Sequence, residues 1–192
     1  MLSVREAQQR ILAHFSPVET THVPLERAAG RVLAAPVQAD SDLPPFDNSG
    51  VDGFAVRAED VAAAGAQTPQ VLPVIGDIPA GKNPAFLLGP GQAARIMTGA
   101  PLPAGADAVV MVEDTDFSQR LPGAAAPEQI TILRAVRAGE NVRQRGTDMR
   151  RGAPVLPAGQ LLRAQDIGML AMIGIADVPV YRLPRVAVLS SG

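Results

Sequence analysis

The chain has 192 residues, 47% of them hydrophobic, and a nearly balanced charge of 17 Lys and Arg against 19 Asp and Glu. This is enough apolar material for one or two packed domains, and neither a disordered tail nor a basic surface for nucleic acid fits it. No cysteine and two histidines exclude a disulfide framework, a thiolate zinc site and a cysteine nucleophile, and with no signal peptide and no apolar run of ~18 residues the expectation is a cytoplasmic protein with no membrane partner.

Ser3 and Glu6 form a capping-box pattern, and Val4, Ala7, Ile11, Leu12 and Phe15 follow at helical spacing. An amphipathic helix packing on a neighbour and ending near Ser16-Pro17 is expected. A short helix around Leu25–Ala29 closes at Gly30, and Arg31–Ala39 reads as extended. Pro44 and Pro45 interrupt regular structure before a loop, Phe46–Gly53, and a buried strand, Phe54–Val56. Val61–Ala66 is a small helix or turn. Short apolar runs between glycines and prolines then predict strands at Val71–Ile75, Ala93–Met97, Ala108–Val112 and Ile130–Leu133. Ser118–Pro127, rich in Gly, Ala and Pro, reads as a mobile hairpin tip. Ala153–Leu156 is a strand, and Ile167, Leu170, Ala171 and Ile173 share one face of a helix capped by Gly174. Val178–Tyr181 is extended. Arg185–Leu189 is a strand running into Ser190-Ser191-Gly192, the pattern with which a parallel-sheet domain begins. Pro-Ala-Gly recurs at Pro79, Pro103 and Pro157, read as turns of one type. The fold class is therefore a β-rich α+β arm of short strands and turns with a few helices, followed by the first strand of a further α/β domain. The expected domains are 1–45 with 142–183, 46–141 as a barrel-like unit, and 184–192 as the start of a longer protein's next domain.

Three segments carry candidate chemistry. In the first, Pro45 to Arg57, Asp47, Asn48 and Ser49 are turn formers whose side chains cap nearby amides. Asp52 stands before Gly53, whose missing side chain admits a second backbone or a ligand. A carboxylate there either coordinates Mg²⁺ or accepts hydrogen bonds from a substrate. In the second, Arg95 to Pro103, a strand runs into a Gly/Pro turn with Thr98 at its mouth. The Thr98 hydroxyl and Gly99 amide either hold an oxyanion or serve the turn itself. In the third, Asn141 to Asp148, Arg143 and Arg145 alternate, so an extended chain presents both on one face. Paired guanidiniums suit a phosphate or carboxylate; the plainer alternative is a surface ion pair with Asp148 or Glu140. Gly76 to Asn83 nearly spells a phosphate-binding loop, but Asn83 replaces the hydroxyl residue and Pro84 blocks the helix, so it is read as a turn.

Together these segments resemble the MoeA-type molybdopterin molybdenumtransferases, a family that includes the gephyrin E domain. Phe46–Val56 is similar to the signature FDNSAMDGYAV, Arg95–Val110 to RIMTGAPLPxGADAVV, and Asn141–Asp148 to an Asn-x-Arg-x-x-Gly-Glu-Asp run. Pro184–Gly192 looks like the start of the family's molybdopterin-binding domain. The resemblance implies molybdenum cofactor biosynthesis: molybdate and adenylylated molybdopterin yield the cofactor and AMP, with Mg²⁺. It implies Asp52 and Thr98 as catalytic residues, Asp52 also as a Mg²⁺ ligand, and Asp47, Asn48, Ser49, Gly99, Arg143, Arg145 and Asp148 as substrate contacts. It further implies an elongated homodimer in which this arm serves the other subunit's active site. Gly50-Val51 replaces the usual Ala-Met, Phe54 the usual Tyr and Thr147 the usual Glu. The pterin and molybdate pocket belongs to a part of the family beyond this segment, so the 192 residues alone are not expected to catalyse the transfer. The alternatives are a scaffold module of the gephyrin type and, from composition alone, a β-barrel ligand binder.

Overall fold

The computed structural model describes residues 2–117 and 125–190. Elements follow in chain order: α1 (Val4–Leu12), β1 (Thr20–Pro24), β2 (Val37–Gln38), β3 (Asn48–Ser49), β4 (Gly53–Val56), β5 (Gln70–Ile78), β6 (Ala93–Ile96), β7 (Ala108–Met111), β8 (Gln129–Ile132), β9 (Val142–Arg143), β10 (Pro154–Leu156), α2 (Ala164–Met172) and β11 (Asp177–Tyr181). Single 3₁₀ turns occupy Leu25–Arg27, Ala58–Val61 and Val112–Asp114. No helix among the described residues is long and apolar enough to cross a membrane. Of the expected hairpin tip, 118–124 lies outside the described residues. Two compact units result, Met1–Ser41 with Arg151–Gly192, and Asp42–Arg150.

In the first unit, β1 and β11 pair antiparallel, as do β2 and β10. The pairing of β1 was not foreseen, because Thr20–Pro24 alternates intermediate and exposed positions without an apolar run. The helix α2 places Leu170 in the core with Leu33, Leu162, Val178 and Val180, all buried. Gly174 ends it at φ +82°, and the Ile175 N–H returns to Leu170 O at 3.0 Å. The capping box of α1 is formed, with Ser3 N donating to Glu6 Oε2 at 2.9 Å and Glu6 N to Ser3 Oγ at 3.3 Å. Its expected packing is not: no α1 residue is buried, and Val4, Ile11, Leu12 and Phe15 are exposed. Arg185–Leu189 is likewise not a strand; its side chains are exposed, and no described segment pairs with it.

The second unit is built on a five-stranded sheet of order β7-β4-β6-β5-β8. The strand β4, between β7 and β6, has all four residues buried because both of its faces are covered. Phe54 and Val56 join Val61, Leu72, Val110, Ile130 and Ile132 on one side; Ala55 joins Ile78, Leu88, Ile96 and Val109 on the other. Burial of a side chain such as Phe54 contributes about 1.5–3 kcal/mol. The sheet curls: after β7, Asp116 N donates to Thr131 O at 3.2 Å and Leu133 N to Asp114 O at 2.8 Å, so this segment covers the outer side of β8. Gly53 is required by the β4–β7 approach, since a Cβ there would lie 1.9 Å from Val110 O. The close neighbour anticipated at this glycine is thus a backbone, not a ligand. The three Pro-Ala-Gly triplets each place their glycine at positive φ, +79°, +91° and +83° at Gly81, Gly105 and Gly159, but Ala104 also bridges to Leu87, which the other two alanines do not share.

Candidate functional site

Strand β3 is the point where the three sequence segments meet. On one side it pairs antiparallel with β9, Asn48 opposite Arg143 and Ser49 opposite Val142. On the other side lies the turn after β6: Ser49 N donates to Ala100 O at 3.0 Å, and Leu102 N to Asp47 O at 2.9 Å. That turn runs from Met97 to Ala100, whose N–H returns to Met97 O at 2.9 Å, and Gly99 holds φ +79° at its third position. A turn of this shape requires a positive φ there, hence glycine.

The turn delivers Thr98 to Asp52. Asp52 Oδ1 accepts two hydrogen bonds of 2.7 Å, one from the Thr98 N–H and one from its hydroxyl. Both residues are exposed. The Thr98 backbone bond, then its hydroxyl bond, and more weakly the charge of Arg95 hold the Asp52 carboxyl below the usual carboxylate range against a small opposing effect of burial. The result is a fixed carboxylate at the surface, with one oxygen saturated by Thr98 and Oδ2 taking no hydrogen bond among the described residues. Such a group can accept a substrate's donor or ligate a hard cation.

The other candidate residues are arranged differently from the sequence expectation. The Gly99 amide donates to Ser49 O at 2.8 Å, and the Thr98 hydroxyl proton goes to Asp52, so the two are not free to hold an oxyanion. Ser49 is fully buried and its hydroxyl donates to Val51 O. Asn48 is also buried, its amide turned toward Phe46 O at 3.4 Å. These two side chains shape the loop instead of facing solvent. Asp47 is exposed but accepts from Arg145 N at 2.7 Å, tying the first segment to the third. Arg143 and Arg145 do not form one guanidinium pair. The strand β9 ends at Arg143, and Gly146 turns at φ +70°. Arg143 therefore meets Asp148 at 2.6 Å, whereas Arg145 meets Asp42 at 2.6 Å. Both side chains remain more than half exposed, which makes each pair worth about 0–1 kcal/mol. Glu140, the other partner considered, binds Arg134 and the Arg137 N–H instead.

Sequence reasoning missed Asp42 and Asn141. Asp42 lies 103 positions from Arg145, and no local pattern announces such a pair. Asn141 carries a readable signal, a lone asparagine after Gly139-Glu140 where a left-handed residue is needed. The phosphate-loop decoy is a turn: β5 ends at Ile78, and Lys82 N returns to Pro79 O at 3.2 Å without a helix.

The model of the MoeA N-terminal region, domains I and II, matches residues 2–174. The chain belongs to that family. It is 41% identical over its whole length to molybdopterin molybdenumtransferase 2 of Mycobacterium tuberculosis, covering 45% of that protein. It is 44% identical over 177 residues to the molybdopterin molybdenumtransferase of Nostoc sp., covering 92% of this chain and 39% of the relative. The crystal structure of the molybdopterin biosynthesis moeA protein from Pyrococcus horikoshii superposes with a TM-score of 0.84 at 38% identity, over 94% of this chain and 46% of that one. The chain thus spans a little under half the length of these relatives. Through this MoeA membership the segment is tied to molybdenum cofactor biosynthesis.

Proposed function

We propose that this MoeA segment supplies Asp52 and Thr98 to the active site of a molybdopterin molybdenumtransferase, which converts adenylylated molybdopterin and molybdate to molybdenum cofactor and AMP. One observation carries the reading. Two family segments 46 positions apart fold so that a surface carboxylate is doubly bonded by one threonine. The carboxylate caps the Thr98 amide of the turn with one oxygen, and both residues are exposed, which leaves the other oxygen to solvent or a ligand.

In this reading the work of the chain is orientation and charge. Thr98 fixes the Asp52 carboxylate through two donors, so Oδ2 faces the substrate in one orientation, and fixed geometry of this kind lowers the entropic part of a barrier. A lone carboxylate fits Mg²⁺ that is held chiefly by a substrate phosphate, since that ion commonly takes only one or two protein carboxylates. Among the described residues no group of three or more His, Asp or Glu forms a metal cage. Asp52 Oδ2 is the ligand this chain offers, and the ion would neutralise phosphate charge. Asp47, Gly99, Arg143, Arg145 and Asp148 are the further residues assigned to substrate contact in this reading, Gly99 through its turn rather than its amide. Of these, the Arg143–Asp148 pair can open toward a phosphate at small cost.

The exposed apolar side chains Val4, Ile11 and Leu12 of α1, with Phe15 just beyond it, offer a face that a second subunit could cover; the proposal is of a cytoplasmic homodimer in which that subunit completes the site. In the whole protein, Asp52→Asn is expected to lower molybdenum cofactor formation about 100-fold and to raise the Mg²⁺ concentration giving half-maximal rate. A full rate with an unchanged Mg²⁺ dependence would refute the assignment.

A further inference from the structure

Besides the β3–β9 pairing and the Asp47–Arg145 bond, one residue outside the candidate set joins the Asp52 loop to the Arg143 loop. Gly139, Glu140 and Asn141 run along the outer edge of β7: Gly139 N donates to Asp107 O at 2.7 Å, and Val109 N donates to Glu140 O at 3.1 Å. Residue numbers rise together along the two segments, the order of a parallel pair, in which the Asn141 N–H would be the next donor to Val109 O. The Glu140 N–H turns away to Arg137 O at 2.9 Å. Asn141 Nδ2 supplies the missing donor, reaching Val109 O at 2.8 Å. The side chain thus completes a strand edge that the backbone has left.

The backbone leaves because Asn141 stands at φ +60°, the one non-glycine residue with positive φ among the described residues. Asparagine tolerates this region better than other side chains do. The turn aims the Asn141 carbonyl at the signature loop, where it accepts from Gly50 N at 2.8 Å. A Cβ on Gly50 would stand 3.3 Å from that carbonyl and 3.7 Å from Arg143 Cγ, so the two loops are in close contact here. Directly after Asn141, β9 pairs Arg143 with Asn48.

We propose that Asn141 is a positioning residue that sets the Arg143–Asp148 loop against the loop bearing Asp52, and so fixes the geometry in which a substrate meets both. This rests on the reading of Asp52 and Thr98 given above. The side chain anchors the junction to β7, and the left-handed backbone directs it at Gly50. An alanine would lose both functions, whereas glycine keeps the backbone conformation and loses only the bond to Val109 O.

The test has two parts. In the 192-residue chain, amide hydrogen exchange at Gly50 reads the junction directly. Asn141→Ala is expected to speed it about tenfold, and Asn141→Gly by less. In the whole protein, both variants are assayed for cofactor formation at a temperature where circular dichroism shows them folded. The expected result is a kcat about 10–100-fold lower for Asn141→Ala, with Asn141→Gly between it and the parent, and a KM for adenylylated molybdopterin within about twofold. If the alanine variant does not fold, the glycine variant carries the test, expected to lower kcat by a few-fold. A parental kcat in a variant whose Gly50 amide exchanges faster would overturn the proposal, as would unchanged Gly50 exchange. Asp52→Asn run beside them separates the two ideas: full activity in that variant defeats the reading of the Asp52–Thr98 pair, while the Gly50 exchange still reports on Asn141.

Discussion

Asp52 is held by a neutral partner. Thr98 gives it two hydrogen bonds and no charge, while Arg95, whose charge acts on it more weakly, lies 3.3 Å from Asp77. The identity of this pair was legible in the sequence only through the resemblance. Spacing by itself left Thr98 as a turn residue, and it is a turn residue as well. What spacing misjudged was the reach of local patterns. Arg143 and Arg145 were expected on one face, but two residues of strand followed by a left-handed glycine send them apart. Asn48 and Ser49, turn formers by their residue type and substrate contacts only by the resemblance, are buried by the pairing of β3 on both edges. Gly53 gives a prediction at this scale. Its replacement by alanine places a Cβ 1.9 Å from Val110 O, backbone against backbone, and should cost about 3 kcal/mol or more, read as a lowered denaturation midpoint. Alanine at Gly81, where nothing lies within 4 Å and only the positive φ resists, should cost about 1–2 kcal/mol.

Among the elements, the longer strands were visible because apolar runs bounded by Gly and Pro define them. Strands β4 to β8 lie within a few residues of their expected positions. The two-residue strands β3 and β9 were not visible, since pairing this short is decided by tertiary contacts rather than by its own residues. The cap of α2 was legible and its face only in part, since Leu170 and Ile173 are buried and Ile167 half-buried but Ala171 is exposed; Leu170→Ala should cost about 2–5 kcal/mol, measured by denaturant unfolding. The helix α1 was legible as a helix but not in its packing. Its cap gives it a pH dependence. The Glu6 carboxyl is held below its ordinary value by the Ser3 backbone bond and then the Ser3 hydroxyl. A lowered folded-state value means that the stabilisation is fully present above the ordinary carboxylate range. It is lost as pH falls through the lowered value. Amide shifts of the first turn of α1 should therefore report fraying in acid in the parent chain. In Glu6→Gln they should report no such pH dependence.

At the scale of the molecule, the chain forms two units, and the candidate site is built wholly within the unit Asp42–Arg150. Its three signature segments are far apart in sequence and meet at β3, which explains why a resemblance spanning all three was informative where each alone was ambiguous. The β-rich class and a barrel-like second unit were expected from short strands evenly spaced by Pro and Gly; the particular backbone bonds of Asp114 and Asp116 that carry the chain past β7 onto β8 have no side-chain pattern to announce them. In the first unit the apolar face of α1 is uncovered. If a second subunit covers it, Ile11→Asp should shift sedimentation from dimer toward monomer while the thermal midpoint of the isolated chain moves by no more than the ~0.5 kcal/mol equivalent of a surface change.

The central claim is that Asp52 and Thr98 act as one unit in the transfer reaction. A double-mutant cycle on kcat for cofactor formation in the whole protein, using Asp52→Asn, Thr98→Ala and the pair together, tests it most directly. Residues that act as a unit lose most of their effect with the first replacement. The predicted result is a loss of about 100-fold for Asp52→Asn, a smaller loss for Thr98→Ala, and a double variant no worse than Asp52→Asn alone. Losses that multiply, or parental rates in both single variants, would contradict the account.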